Sequence, residues 1–357
     1  MTRIAVIPPW PGLHNRNRLF GLPGFAEWWA RGAAAGYEMG TADVITPESA
    51  DCVWVIDVAR PHELAAPLAA VRRRGGRAVL QILESPLVRP HSWNRSMHRQ
   101  FDWVLTYEQA AGSDALYRHY RIPVRLRPAL SGIPFQARRI SVMLNTNHLK
   151  GFWEKRSRTE PLLHFLGGRL SAALRPVRGD LYGWRRRLAR TAETLPAGTL
   201  DVYGRDWQGQ QLSWCAMYPH RAYRCATEAP IHAEGLVGWA RKAALLGGYR
   251  FAIAAENYRG HRDYISEKII DPLLAGTVPV YLGEDHITRV IPENAFVDAR
   301  KYRSQAELLH FLRECPAQQW QAMQRAGQAW LASPQAAEFR GEAFADLAMN
   351  VLKELLA

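Results

Sequence analysis

The sequence predicts an α/β fold that consists of two doubly wound halves. Short apolar runs alternate with helical stretches along most of the 357 residues, and this alternation favours parallel sheets joined by right-handed crossovers. The chain is also longer than the roughly 250 residues at which a single hydrophobic core stops growing. We therefore expect two domains at residues 1–135 and 136–335, followed by a C-terminal helix at residues 336–357 that packs at the domain junction.

Five stretches of the first half have the composition of short buried strands. Each is apolar and is bounded by glycine, proline or charged residues. A helical pattern spans residues 63–74, between the second and the third stretch. The predicted strands are residues 3–7, 52–58, 77–83, 104–106 and 124–127.

The second half repeats this arrangement after a boundary near residues 131–138. A helical pattern closes the chain at residues 338–356. No Gly-x-Gly-x-x-Gly motif occurs in either half, which argues against a dinucleotide-dependent oxidoreductase. The predicted strands are residues 140–144, 200–203, 250–254, 278–282 and 295–297.

The stretch from residue 249 to residue 283 is the richest in candidate binding residues. Its apolar run at 251–255 ends in Glu-Asn, as expected for a buried parallel strand whose carboxyl end delivers polar groups to a ligand crevice. The backbone N–H groups at the start of the following helix, together with a lysine, would face an anion. The cluster consists of Glu256, Asn257, Tyr264, Glu267 and Lys268. It has the composition of a nucleotide pocket, and the alternative is an exposed helix start beside an ordinary strand end.

The helix in this stretch contains an unfavourable residue. Asp263 or Ser266 can cap its start, and Gly276 can end it. Pro272 falls in its interior, where a proline removes a hydrogen bond and bends the helix. We expect a short or bent helix.

The whole stretch resembles the sugar-nucleotide signature of glycosyltransferase family 10, the α-1,3/1,4-fucosyltransferases. That signature has an aromatic-led strand ending in Glu-Asn, a variable loop, the sequence Tyr-x-Ser/Thr-Glu-Lys-Ile and a turn of the form small-Gly-x-x-Pro-Val. The corresponding residues here are 249–257, 264–269 and 275–280. The loop before Tyr264 is slightly longer than in some bacterial relatives.

A second resemblance to the family lies in the first half of the chain. The run at 78–83 is followed by Glu84-Ser-Pro, and residues 101–107 read Phe-Asp-Trp-Val-Leu-Thr-Tyr. This pair is similar to the acceptor-side motif of the family, in which the glutamate is the proposed general base. Taken alone, Glu84 would more often be a solvated strand end, but two matches in the expected order, in different halves of the chain, favour the catalytic interpretation. His91 is a second acid/base candidate, for which a surface position is the favoured interpretation.

A third resemblance involves arginine. Residues 181–185, Leu-Tyr-Gly-Trp-Arg, followed by Asp-Val-Tyr-Gly at 201–204, are similar to an arginine-bearing helix that leads into an Asp-x-Tyr-Gly strand. In the family this arginine contacts the donor pyrophosphate, so the resemblance selects Arg185. Residues 152–178 are inserted before it, and the competing candidates are Arg156, Arg158, Arg186 and Arg187. Lys242 also stands where the family has a basic residue, although a solvated helix position is the favoured interpretation.

The resemblance implies the GT-B architecture, two facing Rossmann-like doubly wound domains with an interdomain cleft. It further implies GDP-fucose as the donor and inversion at the anomeric carbon, with Glu84 as the base. Glu267 is then the candidate for the ribose hydroxyls, and Asn257 and Tyr264 are the candidates for the ribose and the base. Contact of Glu256 with the sugar is an alternative. No Asp-x-Asp motif occurs, so we expect no metal site and no cofactor. Arg185, Lys268 and the helix start would supply the positive charge instead.

The chain carries a formal net charge of +13, with basic clusters at residues 72–74, 155–158 and 185–187. Such patches attract polyanions in general. Because no zinc-finger spacing, RNA-recognition signature or recognition-helix pattern occurs, we expect no nucleic-acid partner. The charge suits peripheral contact with an anionic membrane and a glycan or lipid-linked glycan acceptor, such as lipopolysaccharide or another surface glycan.

Four scattered cysteines without metal-ligand spacing are expected to be free thiols in a reducing compartment. Neither a signal peptide nor an apolar run of about 20 residues is evident. These features predict a cytoplasmic protein that contacts the inner membrane peripherally. The alternative functions are transfer from another nucleotide sugar on the same fold and non-catalytic binding of polyanions.

Overall fold

The computed structural model describes residues 1–13, 16–109, 114–128, 130–147, 179–205, 207–208, 223–224, 226–227 and 235–357. The chain divides into two compact units. The first contains Met1–Arg127, His261–Glu267 and Ala329–Ala357, and the second contains Pro128–Gly260 and Lys268–Gln328. The division after Arg127 precedes the predicted boundary at 135/136, and two later segments return to the first unit.

The first unit is built on a six-stranded sheet in which every neighbouring pair is parallel. Its strands are β1 Thr2–Ile7, β2 Tyr37–Thr41, β3 Cys52–Ile56, β4 Arg77–Gln81, β5 Trp103–Thr106 and β6 Tyr117–His119. They lie in the order β2-β1-β3-β4-β5-β6. Ile56 lies beside Gln81, and Gln81 lies beside Leu105, so the carboxyl ends of the three central strands are level with one another.

The helices of both units fall between the strands or after them. They are α1 Phe25–Ala34, α2 Pro61–Arg73, α3 Arg95–His98, α4 Tyr182–Ala192, α5 Gly235–Gly247, α6 Glu267–Leu274, α7 Gln305–Glu314, α8 Ala317–Leu331, α9 Pro334–Ala337 and α10 Gly341–Leu356. Among the described residues, no helix is long and apolar enough to span a membrane.

The core of the first unit has a layer on each face of its sheet. Val53 and Val55 point to one layer, whereas Trp54 and Ile56 point to the other, as the two-residue period of a strand requires. Helix α10 contributes Phe344 to the second layer, where its ring lies 5.3 Å from that of Phe25 on α1. The predicted C-terminal helix is therefore present and packs on the first unit. Its place at a domain junction stays a prediction.

The second unit contains another six-stranded parallel sheet. Its strands are β7 Arg139–Leu144, β8 Asp201–Tyr203, β9 Ala226–Thr227, β10 Tyr249–Ala255, β11 Val278–Leu282 and β12 Val297–Asp298, in the order β12-β11-β10-β7-β8-β9. Phe251 and Ile253 face one apolar cluster, and Ala252 faces another. Both faces of β10 are therefore buried, which explains its continuous apolar run.

Each sheet has a point at which the strand order reverses. In the first sheet this point lies between β1 and β3, and in the second it lies between β7 and β10. In open α/β sheets, the carboxyl ends of the strands on either side of such a switch point form the usual ligand crevice. The residues that follow β3 and β10 therefore occupy the positions at which this fold usually binds ligands.

The predicted central strands agree with the observed ones to within a few residues. The strand predicted at 124–127 is wrong, because Val124 forms only an isolated bridge with Arg340. Strands β2, β6 and β9 were not predicted, and all three lie at sheet edges. An edge strand can expose a face and a side to water, so it does not need a continuous apolar run.

Candidate active site

The candidate donor residues of the second unit surround the carboxyl end of β10. The backbone N–H of Glu256 donates to Leu282 O at 2.8 Å and continues the sheet by one residue. Its side chain is fully buried, and Lys268 Nζ lies 3.4 Å from its Oε2 atom. A Cβ atom at Gly283 would lie 2.5 Å from Glu256 Cγ, so the glycine leaves room for this carboxylate.

Arg185 on α4 binds the same strand end. Its Nη2 atom donates to Ala255 O and, at 3.0 Å, to Asn257 Oδ1, and the residue is only 2% exposed. Its guanidinium group also lies over the ring of Tyr182, 4.9 Å from the centroid. The structure thus brings Arg185 to Asn257, two residues that the sequence places in separate motifs.

The chain before α4 runs beside the loop that follows β10. Leu181 N donates to Asn257 O at 3.3 Å, and Arg259 N donates to Gly179 O at 2.7 Å. Gly179 has a φ of +92°, and a Cβ atom there would lie 2.2 Å from Arg259 O. Because this approach requires a glycine, it fixes the start of α4 against the Glu-Asn strand end.

The segment His261–Glu267 packs within the first unit. The ring of His261 lies 4.0 Å from that of Trp93, and Tyr264, which is buried, lies 5.2 Å from Tyr107. Burial lowers the pKa of His261 to about 4, so this imidazole is neutral at pH 7. The structure groups Tyr264 and Glu267 with the first unit, and their predicted roles in donor binding stay predictions.

Helix α6 is short, as its proline predicts. It has eight residues, begins at Glu267 immediately after the buried Ser266, and contains Pro272. Lys268 therefore stands in its first turn, beside Glu256.

Glu84, the candidate base, lies beyond the carboxyl end of β4 in the first unit and is half-buried. Side chains bind both of its main-chain polar groups. Its N–H donates to Asp57 Oδ2 at 3.1 Å, and its carbonyl oxygen accepts from Trp93 Nε1 at 3.0 Å. His91, in contrast, is exposed, as its favoured interpretation predicted.

Asp57 was missed by the sequence analysis, although it directly follows β3 at the switch point of the first sheet. Its carboxylate is 3% exposed. Burial, together with the neighbouring charge of Glu84, raises the pKa of Asp57 to about 7, although the hydrogen bonds that it accepts act in the opposite direction. The available signal was an acidic residue at the end of the apolar run Cys-Val-Trp-Val-Ile.

A comparison with known protein families matches this part of the structure. Residues 239–325 match the family described as Glycosyltransferase family 10 (fucosyltransferase) C-term. This part of the chain is similar to glycosyltransferase family 10. The resemblance of residues 249–283 is therefore confirmed, and the match includes β10, α6 and β11.

Curated relatives of family 10 match over a similarly short region. The 4-galactosyl-N-acetylglucosaminide 3-alpha-L-fucosyltransferase 9 of Homo sapiens is 39% identical over 67 residues, which cover 18% of each chain. The alpha-(1,3)-fucosyltransferase 7 of Bos taurus is 46% identical over 70 residues, 19% of this chain and 20% of the relative. The chain thus spans about a fifth of the length of the curated relatives that it matches.

Solved structures resemble the fold over nearly its full length. Anabaena HepE in complex with UDP and glucose has a TM-score of 0.56 at 11% identity, and the match covers 99% of this chain and 100% of that one. Sucrose-phosphate synthase from Thermosynechococcus elongatus has a TM-score of 0.53 at 11% identity and covers 100% and 99%. With the two parallel sheets, these likenesses confirm the predicted GT-B type of two Rossmann-like doubly wound domains. The cleft between facing domains stays a prediction.

The remaining family 10 candidates have different surroundings. Among the competitors of Arg185, Arg186 is half-buried and Arg187 is exposed, whereas Arg156, Arg158 and the insertion at 152–178 lie outside the described residues. The solvated position favoured for Lys242 is wrong, because its Nζ atom lies 2.5 Å from Oδ2 of the buried Asp271.

Neither of the described cysteines forms a disulfide. Cys52 and Cys315 are buried free thiols, and the other two cysteines lie outside the described residues. Within the described part of the chain, no group of three or more His, Cys, Asp or Glu side chains is arranged to hold a metal ion. The expectation of a metal-free site stays a prediction.

Proposed function

We propose that this protein is an inverting glycosyltransferase that transfers fucose from GDP-fucose to a hydroxyl group of a glycan, through an α-1,3 or α-1,4 linkage. One observation carries the proposal. The family 10 match at residues 239–325 contains Glu256, Asn257 and Lys268, and these residues lie with Arg185 at the switch point of the second sheet.

The donor half of the mechanism is electrostatic. As the nucleoside diphosphate leaves the anomeric carbon, negative charge grows on its β-phosphate, and cations or N–H dipoles directed there lower the barrier. Lys268 stands in the first turn of α6, where backbone N–H groups add to its charge. Arg185 is the proposed second cation. Neither role requires a metal ion or another cofactor.

The contacts with the nucleotide and the sugar follow the family 10 resemblance. Glu267 is proposed to bind the ribose hydroxyls, Asn257 and Tyr264 the ribose and the base, and Glu256 the fucose. Glu256 is ionically paired with Lys268, so one interaction would link the sugar contact to the phosphate contact.

The acceptor half of the mechanism needs a base. The attacking hydroxyl loses its proton as it adds to the anomeric carbon, and Glu84 is proposed to accept that proton. A single displacement with one base inverts the configuration at this carbon. The linkage type and the inversion are parts of this proposal.

The proposed acceptor is lipopolysaccharide or another lipid-linked surface glycan. A net charge of +13 supports peripheral contact of a cytoplasmic enzyme with anionic phospholipid, because basic patches concentrate the protein at such a surface. No nucleic-acid partner is proposed.

A second candidate function is transfer from another nucleotide sugar. It is supported by the solved structure of highest TM-score among those described above, Anabaena HepE, which is a complex with UDP and glucose. A third candidate, non-catalytic polyanion binding, rests only on the net charge.

Calorimetry with GDP-fucose, UDP-glucose and a CMP-linked sugar separates the first two candidates. We expect GDP-fucose to bind at least about tenfold more tightly than the others, a difference of about 1.4 kcal/mol. Preference for the UDP or CMP donor would exclude fucose transfer from GDP-fucose as the main activity.

Glu84→Gln tests the catalytic role. Transfer of labelled fucose to a lipid-linked glycan should fall about 100-fold or more, because general base catalysis typically contributes that much, while the donor Kd stays within about twofold. Glu63→Gln, which changes an exposed glutamate on α2 of the same unit, serves as the matched control. Equal activity of the two variants would exclude Glu84 as the base. Absence of detectable transfer in the unmodified protein and in both variants would contradict the proposed transferase activity.

A further inference from the structure

The first unit contains a buried carboxylate, that of Asp57, which accepts hydrogen bonds from the backbone at Leu83 and Glu84. Asp57 Oδ1 accepts from Leu83 N at 3.1 Å, and Asp57 Oδ2 accepts from Glu84 N at 3.1 Å. Ser92 Oγ donates to Oδ1 at 3.0 Å. One side chain at the end of β3 therefore binds the backbone just beyond β4.

The backbone of Asp57 is held in an uncommon conformation. Its φ is +55°, in the left-handed region that residues other than glycine occupy at some cost. Its N–H nevertheless donates to Gln81 O at 2.8 Å and keeps the residue in register with β4. Strained residues of this kind concentrate at functional sites, where the strain directs a side chain.

The turn that contains Ser92 and Trp93 makes a second set of contacts with Asp57 and Glu84. Ser92 and Trp93 lie in one short helical turn, Pro90–Trp93. Ser92 Oγ accepts from Val58 N at 2.7 Å while donating to Asp57, and Trp93 Nε1 donates to Glu84 O. The Nε2 atom of the buried His98 imidazole lies 2.7 Å from Ser92 O. Both main-chain polar groups of Glu84 are consequently fixed by side chains.

We propose that Asp57 is the positioning residue for Glu84: its buried carboxylate, oriented by Ser92, holds the Leu83 and Glu84 N–H groups and so sets the direction of the Glu84 side chain. The proposal rests on the proposed role of Glu84 as the base. Asp57 does not itself need to contact the substrate.

The same geometry places two carboxylates on adjacent strand ends. The titratable groups around Asp57 are Glu84 after β4, Tyr107 after β5 and Tyr120 after β6. Because the folded-state pKa of Asp57 is raised from 3.8 to about 7, this carboxyl is protonated below that pH and charged above it. The neighbouring charge of Glu84 is one cause of the raised pKa of Asp57, so the two carboxylates interact electrostatically.

Asp57→Asn is the main test, because asparagine keeps the size and one acceptor oxygen but loses the charge and one of the two acceptors. We expect kcat to fall about tenfold or more, with the donor Kd within about twofold. The decrease in rate as Asp57 becomes protonated below about pH 7 should be absent from the acid limb of the variant's pH–rate profile. Asp51→Asn is the matched control. It changes a carboxylate that accepts a backbone N–H, that of Arg3 at 2.8 Å, at the amino end of the same sheet.

A second measurement does not depend on activity. In amide NMR spectra of the whole protein, the Leu83 and Glu84 N–H signals should titrate with a midpoint near 7, and Asp57→Asn should abolish this titration while Asp51→Asn leaves it. Amide signals that do not titrate, or an Asp57→Asn variant with the kcat and acid limb of the control, would overturn the positioning role. If Glu84→Gln retains full activity while the amides titrate as expected, the role of Glu84 as the base fails and the structural link from Asp57 to Glu84 stands.

Discussion

Arg185 and Asp57 show how single side chains connect segments that are far apart in the sequence. Arg185 is buried, yet its guanidinium group meets a backbone carbonyl and the Asn257 amide. Asp57 is also buried, and its carboxylate accepts hydrogen bonds from the N–H groups of Leu83 and Glu84. In each case a charged group, costly to bury, is retained where its hydrogen bonds orient a candidate functional residue.

Arg185→Lys should weaken donor binding. Lysine has one compact ammonium group and cannot reproduce the planar guanidinium that spans two acceptors, so Asn257 loses its fixed orientation. We expect the Kd for GDP-fucose to rise about tenfold or more by calorimetry. Arg187→Lys, an exposed change on the same helix, should leave it within about twofold. Equal Kd values for the two variants would show that Arg185 has no part in the site.

At the scale of elements, α6 carries the first-turn lysine of the proposed donor site and forms an ion pair with α5. Lys242 of α5 pairs with Asp271 of α6, whose side chain is nearly buried. Pro272, the next residue, lacks the N–H that a helix interior normally uses. The pair therefore stabilises a helix that is short and has a missing hydrogen bond.

Lys242→Ala should destabilise the second unit. It removes the cation from a buried carboxylate, and breaking such pairs costs about 3–5 kcal/mol when both groups are buried. Because Lys242 is partly exposed, we expect a loss of about 2–3 kcal/mol in urea denaturation. Asp271→Asn in the Lys242→Ala background should recover part of that loss. Lys301→Ala, which removes the exposed partner of Glu293, should cost less than about 1 kcal/mol. A similar loss in both single variants would contradict the structural role of the pair.

At the scale of the whole molecule, two sheets of the same type carry different chemistry at equivalent places. The switch point of the first sheet is followed by Asp57, and that of the second by Glu256 and Asn257. The net charge of +13 is a property of the whole surface rather than of either site. Surface charge and site charge should therefore respond differently to salt.

Binding to phosphatidylserine vesicles should fall steeply between 50 and 300 mM NaCl, by about tenfold or more, because exposed charges are screened within a Debye length of about 10 Å. The Kd for GDP-fucose should change less than about threefold, since Lys268 and Arg185 are largely buried and less accessible to counterions. Sedimentation with vesicles and calorimetry at both salt concentrations measure the two effects. Equal salt dependence would favour the non-catalytic polyanion-binding function.

The sequence alone determined the α/β class, the central strands and the residues Glu84, Arg185, Glu256, Asn257 and Lys268 as candidates. Buried strands such as β10 must be continuously apolar, and they end where polar residues begin, so both signals are local. Edge strands β2, β6 and β9 escaped prediction because one side of each faces no neighbouring strand. Local patterns do not record such positions.

Only the tertiary structure decided which of these residues meet. The contact of Arg185 with Asn257, the pairing of Lys242 with Asp271 and the hold of Asp57 on Glu84 each depend on strand order. Strand order brings residues together that are tens of positions apart, and hydrogen-bond partners at such separations leave no periodic trace in the chain. The grouping of His261–Glu267 with the first unit likewise appears only in the tertiary structure. The sequence of this loop identifies its candidate binding residues, and the fold decides which unit they pack in.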